Sequence, residues 1–294
     1  MRRMVLNVLI VTALLSTLTQ AQPRQATLSA QVAATWRVIP DLSYSARHHR
    51  ARLDLYLPVQ RQYRALVVMF HGGGARKEQV ALSVLPFLAA NMAVANVEYR
   101  MLEDAAAPAA VYDAVCVTRW LVHEAPEDYR VAERDLVLTG NSAGGHLALM
   151  AGLANERFGQ ECAHLKPVRP RAVVNLFGVS DFERFLFEPP ASSGIQWAKR
   201  WLRADRQLAR AMSPVHYVTR NSPPVLSVHG TKDRWVPIEQ SERLHQKLSD
   251  AEVPNRLVGV ANGEHGGYWT AWIGGQLSDA ERAIYSFLDE QLLR

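Results

Sequence analysis

The stretch LVLTGNSAGGHLALMAGL, residues 136–153, contains the transition that decides the fold. It begins with a short apolar run typical of a buried strand and continues, from about Ala143, with small and apolar residues of helical character. Between the two, residues 140–144 fit the G-x-S-x-G pattern, which holds a serine on a sharp turn between a strand and a helix. A serine among glycines is often only a turn former, but this context predicts that Ser142 is an exposed nucleophile.

Short apolar runs alternate with helical patterns along most of the chain. Near-continuous apolar runs between helices are typical of a parallel sheet that is covered on both faces. Residues 52–58 instead alternate apolar and polar side chains, which predicts a half-exposed antiparallel edge strand. We therefore predict an α/β fold with a mostly parallel central sheet and helices on both faces. The other predicted strands are 65–70, 92–99, 135–140, 171–177, 224–229 and 256–260, and the predicted helices are 107–124, 143–155, 237–250 and 278–292.

The segment 182–212 interrupts this alternation. It separates two predicted strands by far more residues than one crossover connection needs. In open α/β sheets, ligands bind outside the carboxyl ends of the strands. We expect this segment to form a small helical cap over that edge of the sheet.

A glycine run follows the first predicted parallel strand, in residues 71–74 (HGGG). Such a run is either a flexible loop or a place where backbone N–H groups approach a substrate and hold an oxyanion. The N–H of Ala143, the residue after the predicted nucleophile, is the expected partner of these amides. The position of the run at the end of a strand favours an oxyanion hole.

A serine nucleophile needs a base, and the base is oriented by an acid. His265 lies in a glycine-rich loop after the last predicted strand, where the base is expected. Asp233 follows the strand predicted at 224–229, so it reaches the same edge of the sheet as His265. Two alternative acids are weaker: Asp181 is expected at the base of the cap, and Glu264 is a sequence neighbour of His265, which usually points away from the imidazole.

The combination of motifs resembles a known family. RLDLYLP, HGGG, EYR (residues 98–100), GNSAGGH, HGTKDRWVP and GEHGG are similar to the α/β-hydrolase esterases related to the hormone-sensitive-lipase group. The resemblance covers roughly residues 40 to 292 and is greatest to the BD-FAE-type branch, the bifunctional feruloyl and acetylxylan esterase-like proteins. It implies an α/β-hydrolase fold and a serine carboxylesterase that acts through an acyl-enzyme, with no cofactor and no metal.

By this resemblance, Ser142, Asp233 and His265 match the catalytic triad of the family. The amides of Gly73, Gly74 and Ala143 match its oxyanion hole, with Gly72 as a substitute within the first loop. One departure concerns the acyl pocket, because Ala75 stands where the family commonly has an aromatic residue after the HGGG run. We therefore expect a more open acyl pocket.

The substrate is less specified than the reaction. Acetyl or feruloyl esters of carbohydrates and small esters all fit the resemblance. The alternatives are an arylformamidase-like amide hydrolase and a non-catalytic hydrolase-fold binding protein. Tryptophans of the predicted cap and of the acid and base loops either pack within the cap or stack on a ligand; they are Trp197, Trp201, Trp235, Trp269 and Trp272.

Residues 1–21 have the three-part pattern of a secretory signal peptide. Two arginines precede an apolar stretch of about 15 residues, which is shorter than the roughly 20 that span a bilayer. We expect cleavage after Ala21, a single α/β-hydrolase domain at 22–294, no stable membrane span in the mature protein, and a secreted or periplasmic location.

The charge distribution and the two cysteines add to this prediction. Residues 1–21 hold two arginines and no other charged side chain, so the formal charge of +5 becomes +3 without them. The basic residues are scattered, which gives no footprint for nucleic acid. In an oxidising compartment Cys116 and Cys162 either form a disulfide or remain two buried thiols. No pattern specifies an oligomeric state.

Overall fold

A sheet of eight strands forms the centre of the computed structural model, which describes residues 36–59, 63–127, 129–188, 194–266 and 278–293. The first two pairings at one edge are antiparallel, and the other five are parallel. The predicted signal peptide, Trp269 and Trp272 lie outside the described residues. In the order β1-β2-β4-β3-β5-β6-β7-β8, the strands are β1 (Trp36–Ser43), β2 (Arg52–Pro58), β3 (Leu66–Phe70), β4 (Ala93–Val97), β5 (Leu136–Asn141), β6 (Ala172–Leu176), β7 (Val225–Gly230) and β8 (Asn255–Val260).

The antiparallel edge differs from the prediction. Strand β2 is antiparallel, as expected, but it is neither half-exposed nor at the edge, because β1 pairs with its outer side. The polar side chain of Asp54 in β2 is buried against the ammonium group of Lys77, with Oδ1 2.9 Å from Nζ. The alternation of polar residues in β2 therefore reflects an internal ion pair and not contact with water.

Helices cover both faces of the sheet. Alternate residues of β3 contribute to two different apolar clusters, as the period of a strand requires. One cluster includes residues of the helices Ala109–His123, Ala143–Leu153 and Glu239–Asp250, and the other includes residues of Leu85–Ala89 and Asp279–Leu292. Within the described residues, no helix is long and apolar enough to cross a bilayer. The helices are α1 (Leu85–Ala89), α2 (Ala109–His123), α3 (Ala143–Leu153), α4 (Phe182–Phe187), α5 (Ile195–Trp201), α6 (Arg206–Ala211), α7 (Glu239–Asp250) and α8 (Asp279–Leu292).

Three of these helices, α4, α5 and α6, lie in the segment between β6 and β7 where a helical cap is predicted. Trp201 at the end of α5 is 3% exposed and packs against the rings of Phe182 and His146. His146 belongs to α3, directly after the strand-to-helix turn at Ser142. The segment therefore packs onto the carboxyl edge of the sheet next to that turn.

Cys116 and Cys162 form a disulfide with a Cα–Cα distance of 5.6 Å. The bridge joins α2 to a short 3-10 helix, Gln160–Cys162, that follows α3. This observation decides between the two alternatives left by the sequence. By restricting a loop of 46 residues in the unfolded chain, such a bridge stabilises a protein by about 4 kcal/mol.

Candidate active site

Ser142 occupies a strained turn between β5 and α3. Its φ of 55° and ψ of −117° lie in a region that side-chain-bearing residues rarely adopt. The surrounding backbone fixes this conformation, because the Ser142 N–H donates to Leu176 O at 2.8 Å and its carbonyl accepts from the His146 N–H at 3.0 Å. Gly144 lies so close to the end of β3 that a Cβ there would be 2.6 Å from the carbonyl carbon of Phe70. The turn thus holds Ser142 at the carboxyl edge of the sheet, as the G-x-S-x-G pattern predicts.

Ser142, His265 and Asp233 form one hydrogen-bonded chain. His265 Nε2 is 2.9 Å from Ser142 Oγ, and His265 Nδ1 is 2.7 Å from Asp233 Oδ2. The imidazole also packs edge-on against Phe177, with ring centroids 4.8 Å apart. The structure therefore brings together the three residues that the sequence assigns to nucleophile, base and acid, although they lie 123 and 32 positions apart.

Asp233 is buried and surrounded by donors. Its Oδ1 accepts the N–H groups of Trp235 at 2.8 Å and Val236 at 2.9 Å. Burial by itself raises the pKa of Asp233, but hydrogen bonds from His229, His265 and a backbone N–H outweigh it and hold that pKa well below its usual range. An ionised carboxylate accepts only. His265 Nδ1 therefore donates to Asp233, and Nε2 is left to accept the Ser142 hydroxyl proton.

Asp181, one of the two alternative acids, and His146, in the first turn of α3, have structural roles. Asp181 Oδ1 accepts the Arg184 N–H at 3.0 Å and caps α4, so it holds the base of the cap as expected. Burial lowers the pKa of His146 to about 4, and its Nδ1 donates to Val179 O at 3.1 Å. Among the described residues, no group of three His, Cys, Asp or Glu side chains is arranged to hold a metal ion.

The glycine loop lies directly beside the serine turn. A Cβ built on Gly73 would be 3.6 Å from the Ala143 methyl group. Gly73 and Gly74 are exposed, whereas Gly72 is buried and its carbonyl accepts from the Ala75 N–H at 3.3 Å. Gly74 has a φ of 78°, which favours glycine. The backbone of Gly73 and Ala143 thus borders one space next to Ser142, where an oxyanion hole is predicted.

A buried polar network that the sequence analysis did not identify supports this loop. The Tyr99 hydroxyl donates to His71 O at 2.7 Å, and the two rings stack with centroids 4.3 Å apart. Glu98 accepts from Arg50 at 2.7 Å and from the Lys77 N–H at 3.0 Å. Glu98 and Tyr99 belong to the EYR motif, so the motif was the available signal for a role in positioning the loop.

Glu98 makes folding sensitive to acid. Burial alone raises its pKa, but the nearby His71, the Lys77 N–H and Arg50 lower it to about 2 from an ordinary value of 4.5. A carboxyl whose pKa is depressed in the folded state contributes stability above its unfolded pKa, and this contribution is lost as the pH falls through the folded pKa. The stabilisation by Glu98 is therefore complete at neutral pH and disappears between about pH 4.5 and about pH 2.

We expect Glu98→Gln to lower the free energy of unfolding at pH 7 by about 1–3 kcal/mol, because Arg50 and the Lys77 N–H lose a charged acceptor. The difference in the free energy of unfolding between the variant and wild type should shrink as the pH falls toward 3. Thermal unfolding at pH 7 and at pH 3 measures this difference. Glu252→Gln, at an exposed pair with Arg220, is the control and should show no such change. A gap of equal size at both pH values would contradict the role of the ionised carboxylate.

A cavity of about 20 Å³ adjoins the oxyanion-hole candidates Gly73 and Ala143. Trp197 and Trp201 from α5 form part of its wall, and their rings stack with centroids 5.6 Å apart. The cap places the Trp197 ring against Gly73, where an added Cβ would lie 3.8 Å from the indole; a pocket more open than is common in the family, expected from Ala75, stays a prediction. The cavity has room for about one water molecule or one methyl group.

Larger clefts lie elsewhere on the surface. One of about 380 Å³ lies between Arg134, Arg169 and Arg220, and the described residues that line it include no histidine to act as a base. The hydrogen-bonded pair of Ser142 and His265 therefore identifies the active site, and the size of a cleft does not.

The chain is similar in sequence to known esterases and in fold to solved esterase structures. The esterase LipC of Mycobacterium tuberculosis is 30% identical over 197 residues, which cover 63% of this chain and 48% of LipC. The chain thus spans about half the length of that relative. A truncated carbohydrate esterase from gut microbiota has a TM-score of 0.74 at 22% identity, over 88% of this chain and 98% of that one. The esterase Est2 of Thermogutta terrifontis, with propionate bound, has a TM-score of 0.69 at 22% identity, over 87% and 94% of the two chains.

These structures confirm the predicted α/β-hydrolase fold. The sequence model of the BD-FAE family matches residues 53–248, from β2 to α7. The matched range includes Ser142 and Asp233, with His265 just beyond it. Because this match covers more than half of the 294 residues, the chain belongs to the BD-FAE family.

Proposed function

We propose that the protein is a serine carboxylesterase that hydrolyses short acyl esters, above all acetyl esters, through an acyl-enzyme. The observation that carries the proposal is the hydrogen-bonded chain of Ser142, His265 and Asp233 beside the glycine loop. Membership of the BD-FAE family supports the same reaction.

The geometry supports a two-step mechanism. His265 Nε2 takes the proton of Ser142 as Oγ attacks the ester carbonyl, and ionised Asp233 stabilises the imidazolium that forms. The amides of Gly73, Gly74 and Ala143 hold the oxyanion, assisted by the positive end of α3. His265 then protonates the leaving alcohol. In the second step the same histidine activates water, which releases the acid and restores Ser142.

The cavity beside Gly73 and Ala143 supports an acetyl group as the acyl part. Its volume of about 20 Å³, as bounded by the described residues, matches one methyl group. Since the carbonyl oxygen of a bound ester is directed to the amides of Gly73 and Ala143, its acyl substituent enters the neighbouring space. We propose acetyl esters as the preferred substrates, ahead of feruloyl esters.

We expect Trp197→Ala to widen acyl preference. Removal of the indole enlarges the cavity, and one methylene of fit alters kcat/KM by roughly 10–200-fold. The ratio of kcat/KM for 4-nitrophenyl butanoate to that for 4-nitrophenyl acetate should therefore rise at least about tenfold. The control is Phe187→Ala, since Phe187 is a cap aromatic that packs under Arg206 and is absent from the cavity wall. An unchanged ratio in the Trp197 variant would place the acyl group elsewhere.

A substrate panel tests the proposed reaction. The wild-type protein should hydrolyse 4-nitrophenyl acetate and acetylated xylan faster than methyl ferulate or N-formylkynurenine, and an organophosphonate should label Ser142. Faster turnover of N-formylkynurenine would favour the arylformamidase-like alternative. Absence of both turnover and labelling would favour a non-catalytic binding protein.

We also propose that the protein is exported to the periplasm or the medium. The apolar segment after Arg2 and Arg3 supports export, and the Cys116–Cys162 disulfide fits an oxidising compartment. N-terminal sequencing of protein expressed in a bacterium should start at Gln22. An intact Met1 on the recovered protein would contradict the proposal.

A further inference from the structure

We propose that the acyl cavity also takes the carbamoyl group of a carbamate ester, H₂N–CO–O–R, whose amino group donates a hydrogen bond to Nε2 of His146. The proposal rests on the esterase function proposed above and extends it from acetyl esters to a second class of acyl group.

His146 is a buried histidine with one ring nitrogen that the fold does not use. The residue is 1% exposed. Its Nδ1 lies 3.1 Å from Val179 O, and because a carbonyl oxygen only accepts, Nδ1 carries the proton. Burial lowers the pKa of His146 to about 4, so the ring is neutral at pH 7. Nε2 is therefore a bare acceptor, and among the described residues it has no hydrogen-bond partner.

A buried acceptor without a partner is uncommon, since the large majority of buried polar side-chain atoms are hydrogen-bonded. The rings of Phe182 and Trp201 hold the imidazole at steep angles, with centroids 4.8 and 5.5 Å from its own. The two nitrogens of an imidazole face in nearly opposite directions, so the Nε2 lone pair is directed away from Val179. His146 forms part of the wall of the acyl cavity, and a group bound in that cavity is able to supply the missing donor.

The size of the cavity and the acceptor in its wall together specify the acyl substituent. The cavity of about 20 Å³, as bounded by the described residues, holds one group the size of a methyl. The methyl group of an acetyl ester fits this space but offers no donor to Nε2. An amino group has nearly the same size and carries N–H donors. An ester with an amino group in place of the acetyl methyl is a carbamate.

The chemistry of the site applies to a carbamate without a further reactant. Ser142 Oγ attacks the carbamoyl carbon, and the bond from that carbon to the alcohol oxygen breaks. The alcohol leaves with the proton that His265 took from Ser142. Water then attacks the carbamoyl-serine and releases carbamic acid, which decomposes to carbon dioxide and ammonia. Because the nitrogen lone pair makes the carbamoyl carbon less electrophilic, we expect both steps to be slower than with an acetyl ester.

The experiment compares phenyl carbamate with phenyl acetate, which differ only by an amino or a methyl group. The measured quantity is the second-order rate constant for release of phenol, which reports on acylation even when the carbamoyl-enzyme accumulates. The ratio of this constant for the carbamate to that for the acetate does not depend on the amount of folded enzyme. We expect the ratio to fall about tenfold in His146→Phe and in His146→Leu, which lack the acceptor. Mass spectrometry of the wild type should find the carbamoyl group on Ser142.

His245→Phe is the matched control. His245 is also a buried histidine, with Nδ1 2.8 Å from Asn255 Oδ1 and with Nε2 unpartnered among the described residues. It is absent from the described wall of the acyl cavity, so its replacement should leave the ratio within about twofold of wild type.

Three outcomes would overturn the carbamoyl assignment while the enzyme remains an esterase. These are a wild type that hydrolyses phenyl acetate but releases no phenol from phenyl carbamate, an unchanged ratio in both His146 variants, and an equal fall in His245→Phe. The last outcome would mean that the loss of any buried imidazole changes the ratio. A wild-type protein inactive on both esters would overturn the esterase function, and the carbamoyl assignment with it.

Discussion

Replacement of Ser142 by alanine is expected to lower kcat for 4-nitrophenyl acetate by roughly 10³–10⁶-fold, as for other triad knockouts, while the protein stays folded. The Ser142 hydroxyl oxygen is the atom that bonds to the acyl carbon. In the wild type it lies 2.9 Å from His265 Nε2, which takes its proton. Alanine has no hydroxyl, so the variant has neither the nucleophile nor this proton. The turn itself is fixed by backbone hydrogen bonds to Leu176 O and from the His146 N–H, which alanine preserves.

Steady-state kinetics measures the expected loss of kcat, and thermal unfolding tests whether the variant stays folded. The midpoint of unfolding of Ser142→Ala should lie within a few degrees of wild type, and organophosphonate labelling should disappear. Ser286→Ala removes a serine on the exposed side of α8 and is the matched control, with both activity and labelling retained. A Ser142→Ala enzyme with more than a tenth of wild-type activity would refute the nucleophile assignment.

The parallel part of the sheet was predictable because its strands are apolar on both faces. The strand predicted at 171–177 is observed at Ala172–Leu176, for example, and every residue in it is buried. Strand β1 was missed because Pro40 and Asp41 interrupt its pattern and a register shift between Ile39 and Leu42 breaks its pairing. Its structure depends on pairing with β2, and no local pattern in the sequence reports that partner.

The serine turn and the loops of Asp233 and His265 were predictable for a related reason. Each follows the carboxyl end of a strand, and those ends meet at one edge of a parallel sheet. The position of Trp197 in the wall of the cavity beside Gly73 was not predictable, because it depends on how α5 packs against a loop more than 120 positions earlier. The interaction of Glu98 with Arg50 is equally non-local, since the two residues are 48 positions apart.

Gly144→Ala should destabilise the protein more than any other single methyl group added at the site. The new Cβ would lie 2.5 Å from His71 O, 2.6 Å from the carbonyl carbon of Phe70 and still closer to Phe70 O. All three atoms belong to the backbone at the end of β3, so no flexible side chain is able to move aside. We expect a loss of at least about 4 kcal/mol in the free energy of unfolding, and a fall of about 10 °C in Tm.

Gly259→Ala in β8 is the matched control, because the neighbours of its added methyl group among the described residues are the side chains of Thr231 and Ile238, at 3.5 and 3.7 Å. Alanine is also the better residue in a strand interior, so this variant should unfold within about 2 °C of wild type. Thermal unfolding of the two variants therefore separates a general effect of glycine replacement from the specific contact between α3 and β3. A Gly144→Ala protein as stable as Gly259→Ala would mean that the helix is free to retreat from β3. The strained turn at Ser142 would then owe its conformation to the hydrogen bonds of Ser142 alone and not to the close packing behind it.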